Sequence, residues 1–156
     1  MKRLITALIL ILTSGLNSVQ AGVVVGGTRI IYPANQSEVQ IALKNKDNDK
    51  RYLVQSWVSN IDDSKAPFIM TPPIYKLDEN RQTLLHVVYT GNKSALPQDR
   101  ESLFMANIKS VAAIPEELHD KNTLQFAIKT KLKLFYRPAS LTDCLLYTSP
   151  SPRDYA

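Results

Sequence analysis

The sequence has little of what disulfide scaffolds, metal sites and enzyme centres are built from. Its 156 residues contain one cysteine and two histidines, so an internal disulfide is impossible and a zinc cluster has too few ligands. His86 and His119 lie far apart in the chain, and neither a Gly-x-Ser-x-Gly nor a His-Glu-x-x-His motif occurs. We therefore predict no metal and no cofactor, and we do not expect an enzyme.

Basic blocks and long apolar runs are also missing. The net charge is +5, but the basic residues are spread along the chain, so nucleic-acid binding is not predicted. The apolar run 4–12 falls short of the ~20 residues that span a bilayer. It follows Lys2-Arg3 and precedes Val19-Gln20-Ala21, which is the layout of a secretory signal peptide. We predict a signal peptide at 1–21, cleavage after Ala21, and an exported chain without membrane insertion after cleavage.

From Gly22 onward, apolar and polar residues alternate in short runs that are separated by turn residues. The clearest runs are 39–43, 51–59, 84–89 and 102–108. A period of two predicts β-strands, and the spacing of the runs predicts an all-β antiparallel sandwich or barrel. Pro72-Pro73 cannot donate to a strand ladder and is expected at an edge or a crossover. Trp57, in the second run, is predicted to be a core aromatic.

The last alternating run has an apolar side and a cationic side. Its apolar residues are Leu124, Phe126, Ile128, Leu132 and Leu134, and lysines occupy three of the intervening positions. One interpretation is a core strand of about eleven residues with a solvated lysine face. The other is that part of the apolar side is offered to another protein, because an exposed strand edge is a template for a partner strand. Periodicity alone leaves both open.

Four stretches, in order along the chain, carry a more specific pattern. They are Thr28-Arg29 with Ile31-Tyr32-Pro33, Thr71-Pro72-Pro73, Leu-Pro-Gln-Asp-Arg-Glu-Ser-Leu-Phe at 96–104, and Lys-Leu-Lys-Leu-Phe-Tyr-Arg-Pro at 131–138. Together they resemble the periplasmic pilus chaperones of the PapD family. The resemblance implies that residues 22–142 are the N-terminal domain of such a chaperone, a seven-stranded immunoglobulin-like β-sandwich.

The resemblance also implies a function. A chaperone of this family binds and folds pilin subunits in the periplasm, caps them by donor-strand complementation, and delivers them to the outer-membrane usher, without a cofactor. The donor strand would comprise Asn122, Leu124, Phe126 and Ile128, whose apolar side chains would fill the groove of an incomplete pilin sandwich. Self-association of the chaperone when no subunit is bound is a further possibility.

Two charged pairs carry over from the family by resemblance. Arg29 and Lys133 are expected to anchor the C-terminal carboxylate of the pilin, which accepts charge-assisted hydrogen bonds. Glu101 and Arg137 are expected to belong to a charge network that links two chaperone domains. Because the sequence leaves the family pattern after Thr142, we expect the second domain to be missing here.

The C-terminal residues differ from the family, and two alternative functions remain open. Residues 143–156 have no counterpart in the family and resemble a translated sequencing adapter, so we expect them to be an assembly artefact. An immunoglobulin-like structural or adhesive module would share the sandwich without capping a pilin. A truncated chaperone fragment without function is the remaining alternative.

Overall fold

The computed structural model of the protein describes residues 22–114 and 121–141. The predicted signal peptide at 1–21 and the predicted tail at 143–156 lie outside these ranges. None of the helices within them combines the length and the apolar content needed to cross a membrane.

In the described ranges, nine strands form two packed sheets. The first sheet contains, in spatial order, β1 (Val23–Val25), β3 (Val39–Asn45), β7 (Gln82–Tyr89) and β5 (Phe68–Thr71). The second contains β2 (Arg29–Pro33), β9 (Ala127–Arg137), β8 (Ser102–Ala112), β4 (Tyr52–Ser59) and β6 (Ile74–Leu77). Neighbouring strands are antiparallel except β2 and β9, which are parallel. Two short 3₁₀ helices, Lys93–Ala95 and Ala139–Leu141, complete these ranges.

The prediction of an all-β immunoglobulin-like sandwich is confirmed, but the count of seven strands differs from the nine of the described residues. The reason is that two passes of the chain are each broken into strands of different sheets. The first break lies at Gly26-Gly27, where Gly27 has a φ of +121° that favours glycine. The second lies at Pro72-Pro73, between β5 and β6, which are edge strands of their sheets. Proline is tolerated there because no ladder hydrogen bond is lost.

The core lies between the sheets and is built from alternate residues of the strands. The predicted runs appear as β3, β4, β7 and β8, and β8 extends to Ala112. Beneath the parallel pair of β2 and β9, the rings of Tyr32 and Tyr136 are stacked with centroids 5.9 Å apart. The Tyr32 hydroxyl donates to the carbonyl oxygen of Ser37 at 2.8 Å. These contacts fix β2 against β9, which places the two predicted anchor residues together.

The last strand begins later than predicted. The structure begins β9 at Ala127, so Leu124 and Phe126 precede the strand and adopt no regular secondary structure. The physical reason lies in the neighbouring strand, because β8 ends at Ala112 and its last pair with β9 joins Val111 to Ala127. Beyond that pair, β8 offers the chain no further ladder.

Trp57 is not a core aromatic, which corrects the prediction from the sequence. In β4 the buried apolar residues Tyr52, Val54 and Val58 occupy even positions. Successive side chains of a strand point to opposite faces, so Trp57 lies on the outer face of the sheet. Its half-buried ring lies beneath the ammonium group of Lys129, whose Nζ is 5.0 Å from the ring centroid.

Candidate functional site

The predicted donor residues form an exposed apolar row. Leu124, Phe126 and Ile128 are 82%, 72% and 58% exposed, and the exposed Asn122 lies just before them. Large apolar side chains that are exposed to water next to one another indicate a surface that binds another molecule. We call the side chains of Leu124, Phe126 and Ile128 the apolar row.

One edge of β9 is partly unpaired. On one side, β8 pairs with β9 from Ala127 to Tyr136. On the other side, β2 pairs only with the part from Lys133 to Arg137. Among the described residues, no strand covers the second edge of residues 127–132, which we call the free edge. At about 3.3 Å per residue it is about 20 Å long, and it presents backbone groups that can pair with another chain.

Arg29 and Lys133 lie opposite each other where the free edge ends and β2 begins. Both side chains are exposed, and the neighbouring Ile30 and Leu134 are buried. The two cations therefore share the outer face of the sheet. Neither has a hydrogen bond or an ion pair with another side chain in the described part of the chain. Two adjacent cations without an anion form a site at which a carboxylate could accept charge-assisted hydrogen bonds.

Glu101 and Arg137 are also brought together. The Arg137 Nε donates to Glu101 Oε1 at 2.6 Å, and both side chains are partly shielded from solvent, with Arg137 20% and Glu101 33% exposed. Arg137 is the last residue of β9, and Glu101 directly precedes β8. This charged pair therefore lies past Arg29 and Lys133, which we call the anchor pair. It is at the end of the sheet farthest from the apolar row.

Two contacts on the lysine side of β9 were missed by the sequence analysis. Lys129 covers Trp57, and Lys131 Nζ donates to both carboxylate oxygens of Asp63 at 2.8 and 3.1 Å. Hydrogen bonds from Lys131, together with its charge, lower the pKa of Asp63. The even-position spacing of Tyr52, Val54 and Val58 was the clue that Trp57 faces outward. These contacts hold the lysine face of residues 127–132 against the rest of the domain, while the backbone groups of the free edge have no partner strand in the described ranges.

A groove of about 380 Å³ lies between β4 and β5. Trp57, Asp63 and Met70 contribute to its lining, which contains no histidine or cysteine. No group of three His, Cys, Asp or Glu side chains in the described ranges could hold a metal ion. Although β8 lies between β4 and β9, Lys129 and Lys131 of β9 reach two of the groove residues, Trp57 and Asp63.

With this geometry in view, comparison with known proteins identifies the family. Residues 22–142 match the family model of the pili and flagellar-assembly chaperone, PapD N-terminal domain. The chain belongs to this family. PapD-like proteins are chaperones, which are not a class of enzyme.

Individual relatives agree with this assignment. The chaperone protein LpfB of Salmonella typhimurium is 43% identical over 137 residues, which are 87% of this chain and 58% of LpfB. The chaperone protein FimC of Escherichia coli K12 is 45% identical over 123 residues, which are 78% of this chain and 51% of FimC. The chain thus spans little more than half the length of the curated PapD-like relatives it matches.

Solved structures show the same architecture. The periplasmic chaperone SfaE superposes with a TM-score of 0.66 at 38% identity, over 76% of this chain and 57% of SfaE. A chain of the Salmonella enterica complex between SafA pilin and the SafB chaperone gives a TM-score of 0.67 at 34% identity. That match covers 81% of this chain and 59% of the other. The sandwich described above is therefore the PapD-like N-terminal fold.

Proposed function

We propose that this domain is the subunit-binding part of a periplasmic pilus chaperone, and that it caps pilin subunits by adding its last strand to them. The exposed apolar row beside the free edge of β9 is the observation that carries the proposal. Strand addition is the established recognition mode of chaperones and pilins. What is proposed is that this chain uses that mode, and that it does so with Leu124, Phe126 and Ile128.

The apolar row would supply most of the binding free energy. A large apolar side chain that becomes fully buried contributes about 1.5–3 kcal/mol before ordering costs are subtracted. Residues 122–126 have no regular structure in the free domain, so binding would extend β9 toward Asn122. Ordering the backbone opposes binding by about 1–2 kcal/mol per residue. The strength of capping is then set by how well the three side chains fill the pilin groove.

The anchor pair would fix the direction of the bound strand. A pilin strand on the free edge can place its C-terminal carboxylate at Arg29 and Lys133 only if it runs in the same direction as β9. The bound strand would then lie in line with β2, which begins at Arg29. Holding the chain end would also fix the register, which matters because a slip of one residue turns every side chain to the other face.

The remaining charged pair and the leader complete the proposal. Glu101 and Arg137 would contribute to contacts with a second chaperone domain, and delivery to the usher would follow from the complete protein. Residues 1–21 would direct export and be removed after Ala21. In the absence of a pilin, self-association of two copies would cover the apolar row.

Co-expression of the full chain with a panel of tagged pilins that includes SafA tests the proposal. We expect at least one pilin to be recovered in complex with the wild-type chain, and Lys133→Ala to abolish that recovery. Lys44→Ala, which removes an exposed lysine from β3 in the other sheet, is the matched control and should leave recovery unchanged.

Circular dichroism confirms that each variant is folded before recovery is compared. A folded wild-type chain that recovers none of the pilins would contradict the proposed function. Recovery that survives Lys133→Ala would contradict the anchor role of this residue.

A further inference from the structure

A buried carboxylate near the start of the domain has no cation beside it. Asp47, in the turn between β3 and β4, is only 8% exposed. Its Oδ2 accepts hydrogen bonds from the backbone nitrogen of Gly22, at 3.1 Å, and from the Tyr52 hydroxyl. Within the described ranges, no Lys, Arg or His nitrogen forms an ion pair with it. Buried carboxylates are usually paired with a charge.

The surroundings hold this carboxylate in a fixed position. The Asp47 backbone nitrogen donates to Asn45 Oδ1 at 3.0 Å, and the Asp47 carbonyl oxygen accepts from the backbone nitrogen of Asn80 at 3.1 Å. Burial of the Tyr52 hydroxyl and, to a smaller extent, its hydrogen bond to Asp47 raise the pKa of Tyr52 to about 12. The hydroxyl therefore stays protonated and acts as the donor to Asp47 at neutral pH.

Gly22 is held equally well on the other side of the contact. It is buried, its carbonyl oxygen accepts from the backbone nitrogen of Lys46 at 3.2 Å, and β1 begins at the next residue. Gly22 is also the residue that follows the predicted cleavage point. Hydrolysis of the Ala21–Gly22 bond by a signal peptidase consumes one water, leaves a carboxylate on Ala21 and creates an α-amine on Gly22. With a pKa near 8, that amine is protonated at neutral pH.

We propose that Asp47 is the binding site for the α-ammonium group that leader cleavage creates on Gly22. The proposal depends on the export part of the proposed function and not on pilin binding. Cleavage converts a neutral amide donor into a charged one at the same position, and charge-assisted bonds are about twice as strong as neutral ones. β1 has three residues and lies at the edge of its sheet. The ion pair forms only after the leader is removed, and it then stabilises this short edge strand.

The test compares processed chains with and without a free ammonium at Gly22. The full chain is secreted with its own leader, as wild type and with one alanine inserted between Ala21 and Gly22, and intact mass defines each N-terminus. The inserted residue leaves Gly22 as a neutral amide. At fixed urea and pH 7, we expect the ratio of folded to unfolded protein to be about tenfold higher for the wild type.

Two substitutions show whether Asp47 causes the difference. In Asp47→Asn the insertion should change the ratio less than twofold, whereas in Asp49→Asn, which alters an exposed acid of the same turn, the tenfold effect should remain. A difference that persists in Asp47→Asn, no difference between the two wild-type forms, or a mature N-terminus other than Gly22 would each overturn the proposal.

A second measurement decides the matter if Asp47→Asn does not fold. An amine-acylating reagent at pH 7 should modify the α-amine of the wild type at least about tenfold more slowly than that of the chain with the inserted alanine, because a buried ion-paired ammonium is a poor nucleophile. The two rates should become equal in urea. Equal rates in the folded proteins would also overturn the proposal, whatever the outcome of the pilin experiment.

Discussion

The two ends of the last alternating segment have the same sequence pattern and opposite surroundings. Leu132 and Leu134 are 8% and 0% exposed, whereas Leu124 and Phe126 are 82% and 72% exposed. The buried end faces the other sheet, and from Lys133 onward it pairs with strands on both sides, while the exposed end extends past Val111, where the ladder with β8 stops. Alternation therefore predicts which side chains share a face, and the neighbouring strands decide whether that face is covered.

Truncating a side chain at the buried end should have the largest effect. We expect Leu134→Ala to lower the free energy of unfolding by about 2–5 kcal/mol, because it removes a fully buried side chain and leaves a cavity. Leu124→Ala is the matched control and should change stability by less than about 0.5 kcal/mol. Urea unfolding followed by circular dichroism measures both. Equal destabilisation by the two variants would show that the exposed end is covered in solution.

Truncation at the exposed end should affect binding and not stability. Phe126→Ala should leave the urea midpoint unchanged and weaken pilin binding by about 1.5–3 kcal/mol, which is the contribution expected of one buried large side chain. A competition experiment with a recovered pilin complex measures the change. Ile69→Ala, which truncates another exposed apolar residue, should bind like the wild type. Normal binding by Phe126→Ala would remove this residue from the donor strand.

Much of the fold follows from local pattern, because alternation and turn residues report directly on strands. Pro72-Pro73 was placed at an edge or crossover by its missing donors, and the structure puts it between two edge strands. The start of β9 could not be predicted in this way. It depends on where β8 stops, about fifteen residues away along the chain, and the alternation of the last segment continues unchanged across that point.

The candidate site shows the same division between local and long-range information. Nothing local pairs Arg29 with Lys133, which lie at opposite ends of the domain sequence, and only the resemblance to PapD-like chaperones suggested it. The outward orientation of Trp57 could have been derived from Tyr52, Val54 and Val58, since their shared phase places position 57 on the other face. Its contact with Lys129 joins two strands separated by β8 and has no local signature.

The contact between Lys129 and Trp57 offers a smaller test of how the free edge is held. Trp57→Leu should destabilise the domain by about 0.5–1 kcal/mol through loss of the cation–π interaction. Lys129→Met should show a similar loss, and the double variant should not be additive. Lys44→Met serves as the control and should add independently to Trp57→Leu. Full additivity of Trp57→Leu with Lys129→Met would mean that the two side chains do not interact in solution.

The ion pair between Lys131 and Asp63 should have the smallest effect and a definite dependence on pH. Because Lys131 lowers the pKa of Asp63, the pair stabilises the folded protein above the ordinary carboxyl pKa of about 4 and loses that effect as the pH falls through the lowered value. The urea midpoint of the wild type should therefore exceed that of Asp63→Asn at pH 7, and the difference should disappear in acid.

Asparagine is a suitable replacement because Asp63 has a φ of +64°, a left-handed conformation that asparagine tolerates as well as aspartate. A midpoint difference that persists below the lowered pKa would assign the effect to the backbone.

Hydrogen exchange ties this test to the two ends of the last segment. In Asp63→Asn, the amides of 127–132 should exchange faster, whereas those of the buried part from Leu134 to Tyr136 should not change, because they are held on both sides by β2 and β8. Uniformly faster exchange along β9 would show that its two ends open together, so that the exposed end would not be an independent donor segment.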